Sequence, residues 1–274
     1  ILFCYAQNRI GKIRRIIKVH SIFISGAAQG IGAATAQLFY QQGYKVGIYD
    51  INVVQAQQLA QQLGPHAKAG LLDVSNAQHW ENALAEFSTW AGELNILVNN
   101  AGILYSGPFE ETELSAHLKT VDINIKGVLT GCYLALPYLR QASFARVINL
   151  SSASAIYGQP YLVSYAASKF AVRGLTEGLD IEWQKYGIRV FDIMPLFVQT
   201  NMVKNMNAGS IHNMGVHLSA TDVARQILHT VQLKDTPFTV THHTVGLKAK
   251  VLMTLSNVSP QFVNRMSNLW ISKK

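Results

Sequence analysis

Charge is scarce in this chain: Asp, Glu, Lys and Arg make up 14% of 274 residues, against 49% hydrophobic. A composition that apolar excludes an intrinsically disordered protein and a coiled coil, and 20 Gly with 7 Pro in no periodic arrangement exclude a collagenous fibre. There are two cysteines, Cys4 and Cys132, far apart and without a secretory signal pattern ahead of them. That excludes a disulfide framework and predicts a reducing, cytoplasmic setting. A bilayer span is excluded as well. The longest uncharged run, 21–44, is interrupted by Gly26, Gly30, Gly32, Gly43 and four glutamines, whereas a span wants about 20 mostly apolar residues. No metal-ligand spacing is present, so His212, His217, His242 and His243 read as loop or surface residues and no metal site is expected.

What charge there is lies mostly at the ends. Residues 1–18 carry Arg9, Lys12, Arg14, Arg15 and Lys18, and residues 245–274 carry Lys248, Lys250, Arg265, Lys273 and Lys274, with no acid in either stretch. Between them 13 basic and 15 acidic side chains nearly cancel, so a nucleic-acid groove through the fold is not supported. The basic ends read either as solvated tails or as contacts to an acidic partner or membrane surface. The chain begins at Ile1 rather than Met, and 1–18 is set aside as a basic N-terminal extension.

From residue 19 short apolar, β-branched runs alternate with longer stretches of helical periodicity. Strands are predicted at 20–25, 45–49, 68–72, 95–98, 146–150, 188–194 and, more weakly, 238–241. Helices are predicted at 33–42, 53–63, 76–90, 113–140, 161–186 and 220–232. Strands apolar on both sides and separated by helices imply a parallel sheet covered on both faces. The expected fold is therefore α/β, a doubly wound Rossmann-type parallel sheet in one domain over 19–244.

Two constellations carry chemistry. The first strand ends in Ser25-Gly26-Ala27-Ala28-Gln29-Gly30-Ile31-Gly32 and leads into a helix. Glycines there allow a tight turn, bring N–H groups up to a pyrophosphate and pack the helix close to the sheet; the bare alternative is an ordinary strand-to-helix turn. Asp50 ends the second strand, where a carboxylate accepts from a ribose diol and repels a 2′-phosphate, and the loop has no Lys or Arg to neutralise such a phosphate. Both features favour NAD over NADP; the alternative for Asp50 is a helix N-terminal acid. The second constellation is Tyr165 and Lys169, four apart and so on one helix face. An ammonium there favours the phenolate, and such a Tyr serves as general acid or base. Ser151-Ser152 stand at the C-terminal end of strand 146–150, where ligands bind in open α/β sheets.

Together with Asp73-Val74, the Asn99-Asn100-Ala101-Gly102 run, Asn124 and the Pro195–Thr200 segment, this ensemble resembles the short-chain dehydrogenase/reductase family over about residues 20–240. The resemblance implies Tyr165 as catalytic acid/base, Lys169 as the residue that lowers its pKa and holds the nicotinamide ribose, and Ser152 as the hydroxyl that polarises the substrate carbonyl. It implies that Asn124 holds a water in the proton relay; taken alone, Asn124 reads equally as a helix-interior polar side chain satisfied by backbone. Gly26, Gln29, Gly30, Ile31, Gly32, Asp50, Asp73, Val74, Asn100, Ala101, Gly102, Pro195, Val198 and Thr200 would bind the cofactor with Tyr165 and Lys169. Two departures stand out: Ser25 replaces the usual Thr, and Leu196 replaces the Gly that usually follows Pro195. The activity implied is NAD-dependent interconversion of a secondary alcohol and a ketone. The rival is an NAD(H)-binding sensor or scaffold without turnover. Family members commonly assemble as tetramers through two long helices, here 113–140 and 161–186, which makes a homotetramer or dimer the expectation.

Beyond Thr200 the resemblance no longer guides. Met194, Met202, Met206 and Met214 cluster between 194 and 214 and read either as a mobile apolar lid, suited to a hydrophobic substrate, or as core packing. Residues 245–274 form a basic amphipathic C-terminal segment whose apolar residues recur at helical intervals broken at Pro260. It can pack on the body, cover a subunit interface or lie on anionic lipid; packing on the body is favoured over the membrane surface.

Overall fold

The structure, a computed structural model, describes residues 4–6, 14–16, 19–204, 213–236 and 238–272. Its centre is a seven-stranded sheet in which every pairing is parallel: β1 (Ser21–Ser25), β2 (Lys45–Asp50), β3 (Ala67–Leu71), β4 (Ile96–Asn99), β5 (Ala145–Leu150), β6 (Ile188–Pro195) and β7 (His242–Val245). They lie in the order β3-β2-β1-β4-β5-β6-β7, so the chain winds outward from β1 in one direction, then returns and winds in the other. The reversal at β1 leaves a crevice at the C-terminal ends of β1 and β4. Cys4–Ala6 and Arg14–Ile16 pair as a separate antiparallel ribbon.

Helices cover both faces because the strands are apolar on both. On one side α1 (Gly30–Gln41), α2 (Val53–Leu63) and α7 (Ala220–Val231) bury Phe39, Leu59 and Ile227 against Ile22, Ile24 and Ile48. On the other, α3 (Ala77–Ala91), α5 (Gly127–Leu139) and α6 (Val163–Trp183) bury Trp80, Phe87, Val128 and Val172 against Phe23, Tyr49 and Val147. Phe23 stacks on Tyr49 at 4.3 Å between centroids and meets Phe87 edge-on at 5.4 Å. Three of the helices start where short polar side chains satisfy their free N–H groups. Asn52 caps α2, Asn76 caps α3, and Ser219 with Asp222 forms a capping box on α7.

Three sequence expectations need correction. The helix expected at 113–140 is two helices, α4 (Leu114–Val121) and α5, joined by a π-helical turn at Asp122–Lys126. The wide turn surrounds Asn124, whose side chain is bonded outside the helix. The helix expected from 161 starts at Val163 because Tyr161 has φ 65°, a left-handed backbone that a right-handed helix cannot include. The last strand is not 238–241 but β7. Asp192 in β6 fixes that register, its N–H donating to the Thr241 carbonyl and its Oδ2 lying 2.9 Å from Nδ1 of His242. His242 and His243 are thus half-buried strand residues rather than loop residues. Burial lowers the His243 pKa to about 4. His217 is exposed as expected, and His212 lies outside the described residues.

A buried ionic cluster ties the sheet together at the opposite end from the crevice. Arg189, second residue of β6, makes a two-pronged contact with Asp180 of α6, Nε to Oδ1 at 2.8 Å and Nη2 to Oδ2 at 3.1 Å. Asp180 also accepts from the Val190 N–H and the Thr241 hydroxyl. Asp235 bridges Arg189 to Arg146, second residue of β5.

Candidate active site

The crevice contains a cavity of about 370 Å³ lined by the ends of β1, β2, β4, β5 and β6 and the segments that follow them. Every residue the sequence marked for the site lines it, except Gly32 and Asn124. Those two stand directly behind the wall.

The glycine loop is shaped by contacts that only glycine permits. Gly26 has φ 64°, and a Cβ there would sit 2.7 Å from the Ala101 Cα; a Cβ on Gly32 would collide with the Gly26 carbonyl and lie 2.7 Å from Asn100 Nδ2. The backbone of β1's loop and that of 100–102 are therefore in direct contact. Asn100 clamps them by donating from Nδ2 to the Ser25 and Gly26 carbonyls at 3.0 and 2.7 Å. The Ser25 hydroxyl, in the place of the expected Thr, accepts from the Asn100 and Ala101 N–H groups at 3.1 and 3.2 Å, so the exchange keeps its bonding. The N-cap of α1, Gln29, makes no side-chain cap, and the first turn holds no acid. A helix N-terminus left open in this way faces the cavity with the positive end of its dipole, which suits a phosphate.

Asp50 is nearly buried at the far wall. Its Oδ2 accepts from the Ala28 N–H and its Oδ1 from the Asn52 N–H, each at 2.9 Å. One backbone donor per oxygen leaves further lone pairs for hydroxyl donors. Asp73 accepts from the Ser75 N–H and hydroxyl, and Val74 lines the cavity beside it.

At the other end lie Ser152, Tyr165 and Lys169. The Ser152 hydroxyl donates to Ser154 Oγ at 3.2 Å and to the Pro195 carbonyl at 3.5 Å and lies beside the Tyr165 phenol, while the neighbouring Ser151 hydroxyl donates to the Lys169 carbonyl at 3.2 Å. Of the two, Ser152 is the one beside the Tyr165 phenol. Lys169 Nζ lies 5.5 Å from the centre of the Tyr165 ring and donates to the Leu150 carbonyl at 2.7 Å. Burial pulls the Lys169 pKa down to about 8. Burial also pushes the Tyr165 phenol above its ordinary value, with the Ser152 hydrogen bond pulling the other way. The direction is set by desolvation of the phenolate rather than by the neighbouring ammonium.

Asn124 is fully buried. Its Oδ1 accepts from the Ile103 N–H at 2.8 Å, and its Nδ2 donates to the Ile103 carbonyl at 2.9 Å and the Ser168 hydroxyl at 3.1 Å. The side chain is engaged by backbone and fixes the strand-like segment after Gly102 against the π turn. Gly102 leaves open the space above Lys169; a Cβ there would lie 3.7 Å from Nζ.

Sequence reasoning missed Gln159. This buried side chain accepts from the Ser154 hydroxyl at 3.2 Å, and the Ser154 N–H donates to Ser152 Oγ at 3.1 Å. No spacing rule marks such a residue, because the loop that returns it to Ser154 has no periodicity. The loss of glycine at 196 costs no strain: Tyr161 alone among the described non-glycine residues has positive φ. Leu196 instead packs against two buried clusters, one of Ala153, Ala155, Ile156, Met194 and Ala249 and one of Leu162 and Phe197. Val198 bridges to Leu218, and Gln199 N–H donates to the Leu218 carbonyl at 2.8 Å, which holds Thr200 at the rim. Met194 is core, Met202 lines the cavity, Met214 packs near Phe197, and Met206 lies outside the described residues.

Residues 20–210 match the short chain dehydrogenase family. The chain belongs to this family. A 3-alpha-(or 20-beta)-hydroxysteroid dehydrogenase of Mycobacterium bovis is 36% identical over 179 residues, 65% of this chain and 69% of that protein. Among solved structures, a 3-ketoacyl-(acyl-carrier-protein) reductase from Brucella melitensis complexed with NADH superposes with a TM-score of 0.77 at 27% identity, covering 82% of this chain and 96% of the other. ElxO with NADP bound gives 0.74 at 26% identity, covering 83% and 97%. This short-chain dehydrogenase is therefore an oxidoreductase of a family that binds nicotinamide dinucleotides. Among its described residues no helix is long and apolar enough to cross a membrane, and no cluster of side chains suits a metal.

Proposed function

We propose that this enzyme interconverts a secondary alcohol and a ketone with NAD(H), using Tyr165 as the acid/base. The observation that carries the reading is the gathering of Ser152, Tyr165 and Lys169 at one end of a single cavity. The Gly26 and Gly32 contacts, the open α1 N-terminus and Asp50 form a cradle that fits a dinucleotide along the rest of the cavity. When bound, the nicotinamide supplies the hydride acceptor or donor. The protein's part is the proton: Tyr165 takes it from the substrate hydroxyl in oxidation and returns it to the carbonyl oxygen in reduction, while Ser152 donates a hydrogen bond to that same oxygen. Ser154 and Gln159 hold Ser152 in place. Lys169 presents its charge beneath the ring and offers donors to a ribose. Ile103, Leu104, Leu196, Phe197 and Met202 make the remaining wall apolar, which supports a hydrophobic substrate, as does the hydroxysteroid named for the mycobacterial relative.

Asp50 supports NAD over NADP. Lys169, at the other end, is the only cation among the described lining residues, so none of those beside Asp50 would offset its repulsion of a 2′-phosphate. We expect kcat/KM to favour NAD by at least about tenfold, or ~1.4 kcal/mol, and Asp50→Ala to narrow the gap. Equal use of the two dinucleotides by the wild type would contradict this.

A homo-oligomer is also proposed. Leu114, Leu118, Leu129 and Tyr133 of α4 and α5, with Phe170 and Ile181 of α6, form an apolar outer surface on one side of the sheet. Exposed apolar surface of this kind marks an interface. Light scattering at micromolar concentration should give the mass of a dimer or tetramer; a monomer mass would refute the assignment.

A further inference from the structure

The last two helices, α8 (Leu247–Val258) and α9 (Gln261–Ser272), use only one side to hold the body. Ala249 is buried, and Leu252 and Met253 pack with it against Ala153, Ala155, Ile156 and Met194. Asn268 donates to the Gly158 carbonyl, and the Ile271 carbonyl accepts from Asn213. The opposite sides are apolar and exposed: Leu247, Val251, Leu255 and Val258 follow one another at helical spacing on α8, as do Phe262, Met266 and Trp270 on α9. Exposure reaches 70% at Phe262 and 76% at Trp270. Lys250 and Arg265 are exposed on the same two helices, and residues 245–274 contain no acid.

We propose that this face docks on an anionic lipid surface. Helices that lie in a membrane interface combine an apolar face carrying Trp, Phe or Leu with flanking cations, and aromatic side chains such as Trp270 favour that boundary. Charge complementarity selects the occupant. Two copies meeting through these helices would set cation against cation with no acid to pair them, whereas an anionic headgroup layer meets each cation favourably. Position gives the docking a use: α8 rests on the turn that follows Ser152 and beside Leu196 of the cavity wall, so an apolar substrate dissolved in lipid would have a short path to the site. The docking itself does not depend on the reaction proposed above.

The test uses the full chain with two kinds of vesicle, phosphatidylglycerol mixed equally with phosphatidylcholine, and phosphatidylcholine alone. Co-sedimentation should be at least about tenfold stronger with the first, and salt well above 0.15 M should release the protein, since the screening length shortens to a few ångströms. Lys250→Glu with Arg265→Glu, and separately Phe262→Ser with Trp270→Ser, should each weaken binding at least about tenfold while the melting temperature stays at the wild-type value. Each cation at such a surface contributes roughly fivefold. Equal binding to both vesicles, or to neither, overturns the proposal, as does a charge-reversed pair that binds like wild type. If the Phe262/Trp270 pair lowers the mass in light scattering without changing vesicle binding, a second copy covers the face and the lipid assignment falls. Should a variant pair not fold, the lipid selectivity and salt release of the wild type decide the question.

Discussion

Tyr165→Phe should lower kcat by about 100- to 10,000-fold, the range a positioned general acid or base supplies, while NADH binding measured by fluorescence remains near the wild-type value. The ring stays on α6 near Lys169, and only the phenolic hydroxyl is removed. Uniform binding should be untouched, because the cradle proposed for the dinucleotide, at Gly26, Gly30 and Asp50, lies on other elements. The loss should therefore appear in kcat rather than in KM. A Tyr165→Phe enzyme with near-normal kcat on any substrate the wild type converts would remove Tyr165 from the chemistry and with it the proposed reaction.

Asp180→Ala should cost about 3–5 kcal/mol of unfolding free energy, the usual penalty for stripping one partner from a buried ion pair, and lower Tm by about 10 °C. The side chain is 4% exposed and serves four donors at once: two from Arg189, the Val190 N–H and the Thr241 hydroxyl. Its removal leaves Arg189 only Asp235 and the Thr239 carbonyl and loosens β6 from β7 at the end remote from the cavity. The pH dependence has a fixed sign. Burial pushes the Asp180 carboxyl up, but Arg189, Val190 and Thr241 together hold it below its ordinary value of 3.8. A carboxyl depressed in the folded state stabilises at neutral pH, and that contribution is lost as pH falls through the folded value. Wild type and variant should therefore converge in urea unfolding below about pH 4. A difference under 1 kcal/mol at pH 7 would show that the cluster does not tie the sheet; Asp180→Asn, which keeps one acceptor, serves if the alanine variant fails to fold.

The doubly wound sheet was legible because local rules agree with it. Runs such as Ser21–Ser25 and Ile96–Asn99 are apolar on both sides, the intervening stretches have helical period, and Asn52, Asn76 and Ser219 cap the helices they precede. Most residues of the crevice lining were legible because the sheet delivers them: strand ends open on the crevice, and strand ends can be counted along the chain. The sequence by itself therefore determined which residues meet in the crevice. Tertiary structure decided what each one touches. Asn124 sits in a π turn because its side chain bonds Ile103, 21 positions away; Tyr161 turns left-handed and its carbonyl accepts from the Gly107 N–H; β7 begins at His242 because Asp192 in the neighbouring strand fixes its register. Gln159 reaches Ser154 only through the fold of an aperiodic loop. The direction of the Tyr165 shift belongs here as well. Spacing places an ammonium near the phenol, but the cost of desolvation depends on everything packed around the pair, and that follows from the closed tertiary structure rather than from any local pattern.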